Sequence, residues 1–100
     1  KQKIWLALQK DIVIGSVMLS PYSKGGHLEN LAVSPKARGN GVGRSLVERL
    51  IIDSKEEGLK LITLTSRIPD FFKSHGFRDF CKLNDGSIVM ILNIEESNLS

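Results

Sequence analysis

The sequence predicts one mixed α/β (α+β) domain over residues 1–100, built on a central mixed sheet with its elements in the order β-β-β-α-β-α-β-β. Three observations predict it. Short runs rich in β-branched or aromatic residues recur between polar or glycine-containing breaks, as strands do. A longer stretch, Val42 to Lys55, repeats apolar residues at helical spacing and lies between two such runs, the pattern of a βαβ crossover. Finally, Gln9-Lys10-Asp11 near one end and Asp85-Gly86 near the other each separate two apolar runs, as hairpin turns do.

Taken in order, Ile4–Leu8 and Ile12–Leu19 are two strands of a hairpin, and Gly15 within the second marks a bulge or a close backbone approach. Pro21–Gly26 reads as a loop by composition. The run His27–Val33 is a strand whose alternation puts His27, Glu29, Leu31 and Val33 on one face and Leu28, Asn30 and Ala32 on the other. Pro35 ends it. The helix from Val42 stops at Gly58, and Leu59–Leu64 is a buried strand beside the helix's parent strand. A short helix begins near Pro69 and ends at Gly76; Phe77–Lys82 and Ser87–Ile94 form the closing hairpin around Leu83–Gly86. The tail, Glu95–Ser100, is expected to fray. Trp5 is expected in the core.

Composition sets the boundaries of function. Apolar residues at 41% and charged residues at 25% are those of a folded globular domain. No run approaches the length of a membrane span, and no secretory leader is recognisable, so the expectation is a cytoplasmic protein without membrane contact. Cys81 is the single cysteine, which excludes an internal disulfide and a cysteine-based metal site. Neither Cys81 nor His75 has a partner at metal-ligand or nucleophile spacing, so both are read as structural and no metal is expected. The net charge of +3, without an extended basic stripe, argues against nucleic acid. Four basic residues nevertheless gather in the central stretch, Lys36, Arg38, Arg44 and Arg49, which suits a small polyanion.

That stretch, Leu28 to Leu50, joins a strand, a turn with Gly39, Gly41 and Gly43, and a helix. Such a junction directs backbone N–H groups and the helix dipole at one spot, where phosphate commonly binds. It is not a dinucleotide fingerprint, because the sixth position from Gly39 is Arg44 and from Gly41 is Leu46. Nor is it a Walker loop, since no Gly-Lys pair is near.

What is present is Arg38-x-x-Gly41-x-Gly43 after a strand ending Leu-Ala-Val-Ser-Pro, followed later by Leu64–Phe77, LTSRIPDFFKSHGF. This resembles the cofactor signature R/Q-x-x-G-x-G/A and the later strand, short helix and Gly-Phe of the GNAT superfamily of N-acetyltransferases, over roughly residues 12 to 94. The resemblance implies a GNAT-like sheet and acetyl-CoA (coenzyme A) as cofactor. The amides of Gly39, Asn40, Gly41, Val42, Gly43 and Arg44 would hold its pyrophosphate, with Arg38 and Arg44 adding charge. The backbone of Leu31, Ala32 and Val33 would pair with the pantetheine arm, and the Leu31 amide would polarise the thioester carbonyl.

The implied reaction is acetyl transfer to a primary amine, and something must take the ammonium proton. Glu29 is the first candidate base; the alternative is that its face meets solvent there. His27, where some relatives place a glutamate, is the second, imidazole being the side chain that changes charge between pH 5 and 8. Its alternative is a structural or exposed role at a strand start. The family's usual tyrosine acid corresponds to Phe72, and Tyr22 reaches only from a loop on this reading. Thr65-Ser66-Arg67 with the Phe-Phe helix resembles the acetyltransferase domain of N-acetylglutamate synthases, which implies an amino acid as acceptor and Arg67 as binder of its carboxylate; capping the sheet or bonding loop carbonyls is the competing role for Arg67.

The family usually begins with a further strand and two helices that wall the acceptor side. This chain starts at the equivalent of the second strand, as a compact variant or a truncated domain. The acceptor pocket is then open, completed by a partner subunit in a homodimer, or supplied by another domain. The competing function is a non-catalytic acyl-CoA-binding or regulatory module, motivated by Phe72 and the missing wall.

Overall fold

The structure, a computed structural model, describes residues 1–94, so the fate of the tail lies outside the described residues. Strands β1 (Lys3–Gln9) and β2 (Ile12–Tyr22) form the first hairpin. Its two turn residues, Lys10 and Asp11, both have positive φ (51° and 67°), the geometry whose twist matches paired strands. Between Ala7 and Leu8 the register slips, leaving an extra residue in β2 beside Gly15. Gly15 is also closely approached: a Cβ there would lie 3.0 Å from Val42 Cγ1 and 3.1 Å from Leu46 Cδ1. Both readings of Gly15 hold.

The segment Pro21–Gly26 is a loop only at its centre. β2 continues to Tyr22 and β3 (Gly25–Val33) begins at once, with Pro21 paired to Gly26 and Tyr22 to Gly25 across a two-residue turn in which Ser23 has φ 43°. Loop-like composition is overridden here by pairing, because Gly25 and Gly26 sit where side chains do not fit. A Cβ on Gly26 would come within 2.8 Å of Leu19.

After β3 and one 3₁₀ turn (Pro35–Ala37) comes helix α1 (Val42–Glu56), then β4 (Leu61–Ser66), which runs parallel to β3. The expected βαβ crossover is present. The strand starts two residues later than the sequence suggests, because the Leu59 N–H still donates to Ser54 O at the helix end (3.1 Å). Gly58, at φ 85°, ends the helix as expected. Helix α2 (Pro69–Lys73), β5 (Arg78–Lys82) and β6 (Ile88–Asn93) follow, and the described strands form a six-stranded sheet of order β1-β2-β3-β4-β6-β5.

Helices α1 and α2 pack on one face. Leu46, Val47 and Leu50 of α1 and Phe72 of α2 are buried with Val17, Leu19, Leu28, Ile62, Leu64 and Met90. Each such side chain contributes roughly 1.5–3 kcal/mol by leaving water. Trp5 is half-buried against this core, and its indole N–H donates to Asp53 Oδ2 (2.8 Å), fastening the edge strand to α1. Cys81 is a free, exposed thiol on β5. Among the described residues no helix is long and apolar enough to cross a membrane.

Candidate active site

Two irregularities of β3 create the site. Pairing with β4 covers Gly25, Gly26 and His27, opposite Leu61, Ile62 and Thr63, and then ends. Beyond that point the two strands splay apart. On the other side of β3, Met18 pairs with Glu29 but Ser16 pairs with Ala32, so Asn30 and Leu31 together face the single Val17. This is a β-bulge, made possible by Asn30 at φ 58°, a conformation that asparagine tolerates better than most residues.

The bulge corrects the predicted alternation. Glu29, across from Met18, stays with His27 on the face away from the helices. Val33 pairs with Gly15, whose missing Cβ points at α1, and Leu31 packs against the core, so both lie on the helix face. One extra residue therefore separates Glu29 from Leu31 by a sheet thickness, whereas strict alternation unites them.

The splay opens a cavity of 330 Å³ lined by Leu28, Glu29, Leu31, Ser66, Arg67 and Phe72, among others. It adjoins a second of 370 Å³ between Leu31–Val33 and Phe71, which shares Leu31 and Ile68 with the first. That in turn shares Val33, Arg38, Gly43 and Phe71 with a third of 310 Å³ under Gly39, Gly41 and Arg44. The three form one continuous groove from the splayed strands to the start of α1. Asn40 lies outside it, lining the neighbouring cavity beside Lys10 and Lys36.

At the groove's far end α1 begins with Gly41 as its N-cap (φ 80°), with no side-chain cap and no acidic residue in the first turn. Uncapped N–H groups and the dipole there favour an anion. Gly39 (φ 84°) and Gly41 have nothing within 4 Å of a would-be Cβ, whereas a Cβ on Gly43 would stand 3.6 Å from Phe71 Cζ and 3.7 Å from Val33 Cγ2, filling the groove floor. Arg38 is exposed and its Nε donates to Val33 O (3.2 Å), which ties the loop to the strand end; Arg44 is exposed on the first turn of α1.

Arg67 lines the splay cavity, yet its guanidinium donates to Asp85 O (3.0 Å) and Oδ2 (3.2 Å). Bonding of loop oxygens is thus part of its role. Asp85 also accepts from Ser87 Oγ (2.6 Å) and Ser87 N (2.9 Å), and these bonds, with Arg67, hold its carboxyl below the ordinary range. Phe72 is buried, edge-on to Phe71 and Phe77, and leaves no hydroxyl at that wall of the cleft.

His27 accepts or donates through Nδ1 to Thr63 Oγ1 (2.9 Å), and Tyr22 OH meets the same oxygen (3.1 Å). Tyr22 is at a strand end, not in a loop. Sequence reasoning missed Thr63 and Phe71. The polar alternation Thr63, Thr65 in an otherwise apolar strand was the available signal for the first; nothing in the Phe-Phe pair distinguishes which ring faces the groove. His75, behind the groove, has its pKa lowered chiefly by burial, partly offset by Glu48 and reinforced by Arg44.

The model of the acetyltransferase (GNAT) domain family matches residues 1–79. An amino-acid acetyltransferase of Mycobacterium tuberculosis is 29% identical over 82 residues, covering 78% of this chain and 47% of its own, so the chain spans about half the length of that curated relative. Among solved structures, an acetyltransferase from Bacillus cereus has a TM-score of 0.87 at 24% identity over 93% of this chain and 73% of its own. A PaiA N-acetyltransferase from Thermoplasma acidophilum, in complex with coenzyme A, has a TM-score of 0.84 at 16% identity over 92% and 60%. These structures share the fold that the resemblance implied, and the chain belongs to the GNAT acetyltransferase domain family.

Proposed function

We propose that the chain carries an acetyl-CoA-dependent N-acetyltransferase activity toward a primary amine, with an amino acid as the acceptor class. The observation that carries this is the continuity of one groove from the uncapped, glycine-lined start of α1 to the splay between β3 and β4. A coenzyme A thioester fits it chemically: amides and dipole at Gly39–Arg44 with Arg38 for the pyrophosphate, and a floor kept open by Gly43. Leu31–Val33, unpaired with β4 on the groove side, suits an extended amide-bearing arm. The coenzyme A complex of the Thermoplasma protein and the family match support the ligand, and the amino-acid acetyltransferase relative supports the acceptor class.

When bound, the cofactor supplies an activated acetyl group. The chain's part is to orient it and to handle charge and protons. The Leu31 amide, at the bulge, is the donor suited to the thioester oxygen; one such donor is commonly worth about 3 kcal/mol in the transition state. Glu29 and His27, together on the opposite face, are placed to receive the proton of an amine arriving from that side. Arg67, half-engaged by Asp85, offers remaining N–H groups to an acceptor carboxylate.

A second reading, a module that binds acyl-CoA without turnover, is favoured by Phe72 where the family's tyrosine acid stands. Thiol release from acetyl-CoA with a panel of amino acids and amines separates the two. The enzyme reading expects turnover with at least one amine and a loss of roughly 10²- to 10⁴-fold in kcat when the base is removed by Glu29→Gln or His27→Gln. Cofactor binding with no turnover on any amine supports the module.

A further inference from the structure

Three side chains, His27, Thr63 and Tyr22, stand in a hydrogen-bonded row on the open face of the sheet. Thr63 is the last residue of β4 paired to β3, directly opposite His27, and its hydroxyl oxygen lies 2.9 Å from His27 Nδ1 and 3.1 Å from Tyr22 OH. The three come from β4, β3 and β2, so the sheet's own register fixes the row at the apex of the splay. Thr63 and His27 are half-buried, and Tyr22 is 43% exposed. Thr63 meets the imidazole through its hydroxyl, whereas its neighbours on the same strand, Ile62 and Leu64, are buried in the core.

We propose that Thr63 is a positioning residue for proton transfer at His27, fixing the neutral ring as the Nδ1–H tautomer so that Nε2 is the bare nitrogen facing the acceptor amine. Tyr22 completes the row by accepting the Thr63 hydroxyl hydrogen. The inference rests on the acetyltransferase reading and deepens it. An imidazole nitrogen that is to take a proton must start without one, so the other nitrogen carries the hydrogen and needs an acceptor. Thr63 Oγ1 supplies that acceptor. When the attacking amine gives up its proton to Nε2, the N–H bond of the amine breaks, an N–H bond forms on the ring, and the imidazolium keeps the same Nδ1–H bond to Thr63. No heavy atom has to move. A carboxylate in place of Thr63 would do the same with a charge; a hydroxyl does it while also turning its own hydrogen toward Tyr22.

The charged and titratable groups around His27 are few. β3 brings Glu29 two residues along the same face, and β2 brings Tyr22 as its one titratable side chain; β4, reading Leu61–Ser66, contributes none. A pH dependence assigned to His27 therefore has Glu29 as its main confounder, and Glu29→Gln in the same background separates them.

The test is read first on the ring itself. In full-length protein labelled with ¹⁵N at histidine, long-range ¹H–¹⁵N spectra at neutral pH report which nitrogen carries the hydrogen. The proposal expects the Nδ1–H tautomer for His27 in wild type, a mixture dominated by Nε2–H in Thr63→Val, and return of the wild-type pattern in Thr63→Ser. A wild-type ring already in the Nε2–H form overturns it, whatever the activity. With an amine acceptor found by thiol release, Thr63→Val should lower kcat at least tenfold with the KM for acetyl-CoA unchanged, shift the acidic limb of the pH profile, and be rescued by Thr63→Ser. A folded Thr63→Val protein with wild-type kcat and pH profile also overturns it. If His27→Gln alone leaves kcat intact, it is the assignment of His27 as base that fails, and the ring spectra still decide what Thr63 does.

Discussion

The chain's two histidines are held in opposite ways. His27 sits half-exposed on the open face of the sheet with a hydroxyl partner, whereas Nε2 of His75 is buried without one, edge-on to Phe71 at 5.1 Å. Burial favours the neutral ring, so the folded-state pKa of His75 lies below its ordinary value of 6.5. The unfolded chain then binds the proton more readily than the folded one. Stability is fully present above pH 6.5 and falls as pH drops below it, until the folded-state pKa is passed. Thermal unfolding from pH 7.5 to 5 should show that decline, and His75→Gln should flatten it; an unchanged slope would mean the ring is not neutral by burial. Asp85 acts in a separate window, since a lowered carboxyl pKa costs stability only as pH falls below about 4. At this scale the sequence offered His27, Glu29 and the glycine loop as candidates, through their residue types together with the family resemblance. It could not name Thr63, whose relevance arises only when β4 aligns with β3.

At the scale of elements, β3 explains most of what was and was not legible. Its existence follows from an apolar run, but its bulge does not, since Asn30 in a strand window has no neighbour that announces a positive φ. The consequence is large: one inserted residue sends Glu29 and Leu31 to opposite faces, so a carboxylate on one side and an amide on the other border the same gap. The hairpin ends, α1 and its Gly58 stop were readable because each rests on local chemistry. Extension of β2 and β3 through Pro21–Gly26 was not, because pairing depended on Leu19 and Leu61 packing where glycines lack side chains. α1 is set on the sheet through Gly15. Gly15→Ala places a Cβ 3.0 Å from Val42 and 3.1 Å from Leu46, and overpacking of this kind costs typically 1–3 kcal/mol. Urea unfolding should show a loss in that range. Because Val42 begins the helix that faces the groove, acetyl-CoA binding should weaken as well; a stable variant with unchanged binding would contradict this packing account.

The whole molecule is a sheet covered by helices on one face. Among the described residues no helix covers the other, where β1 exposes Ile4, Leu6 and Leu8 at 55–60% beside the half-buried Met18, His27 and Glu29. Among the described residues that open face is built from strands alone, in a chain that spans about half the length of the curated relative it matches. Strand, glycine turn, α1 and α2 all bring residues to one groove; the part of its wall from Leu31 to Arg44 lies in one continuous stretch of sequence and was legible there, whereas the part from α2 was not. The central claim is that this groove holds acetyl-CoA by the start of α1. Calorimetric titration with acetyl-CoA tests it most directly, on wild type and on Gly41→Glu. The variant brings a carboxylate to the anion site and strains a residue at φ 80°, at roughly 1–2 kcal/mol. The account predicts saturable binding by wild type and a loss of at least tenfold in affinity in a Gly41→Glu protein that keeps the wild-type circular dichroism spectrum. Equal affinity in the two proteins would contradict it.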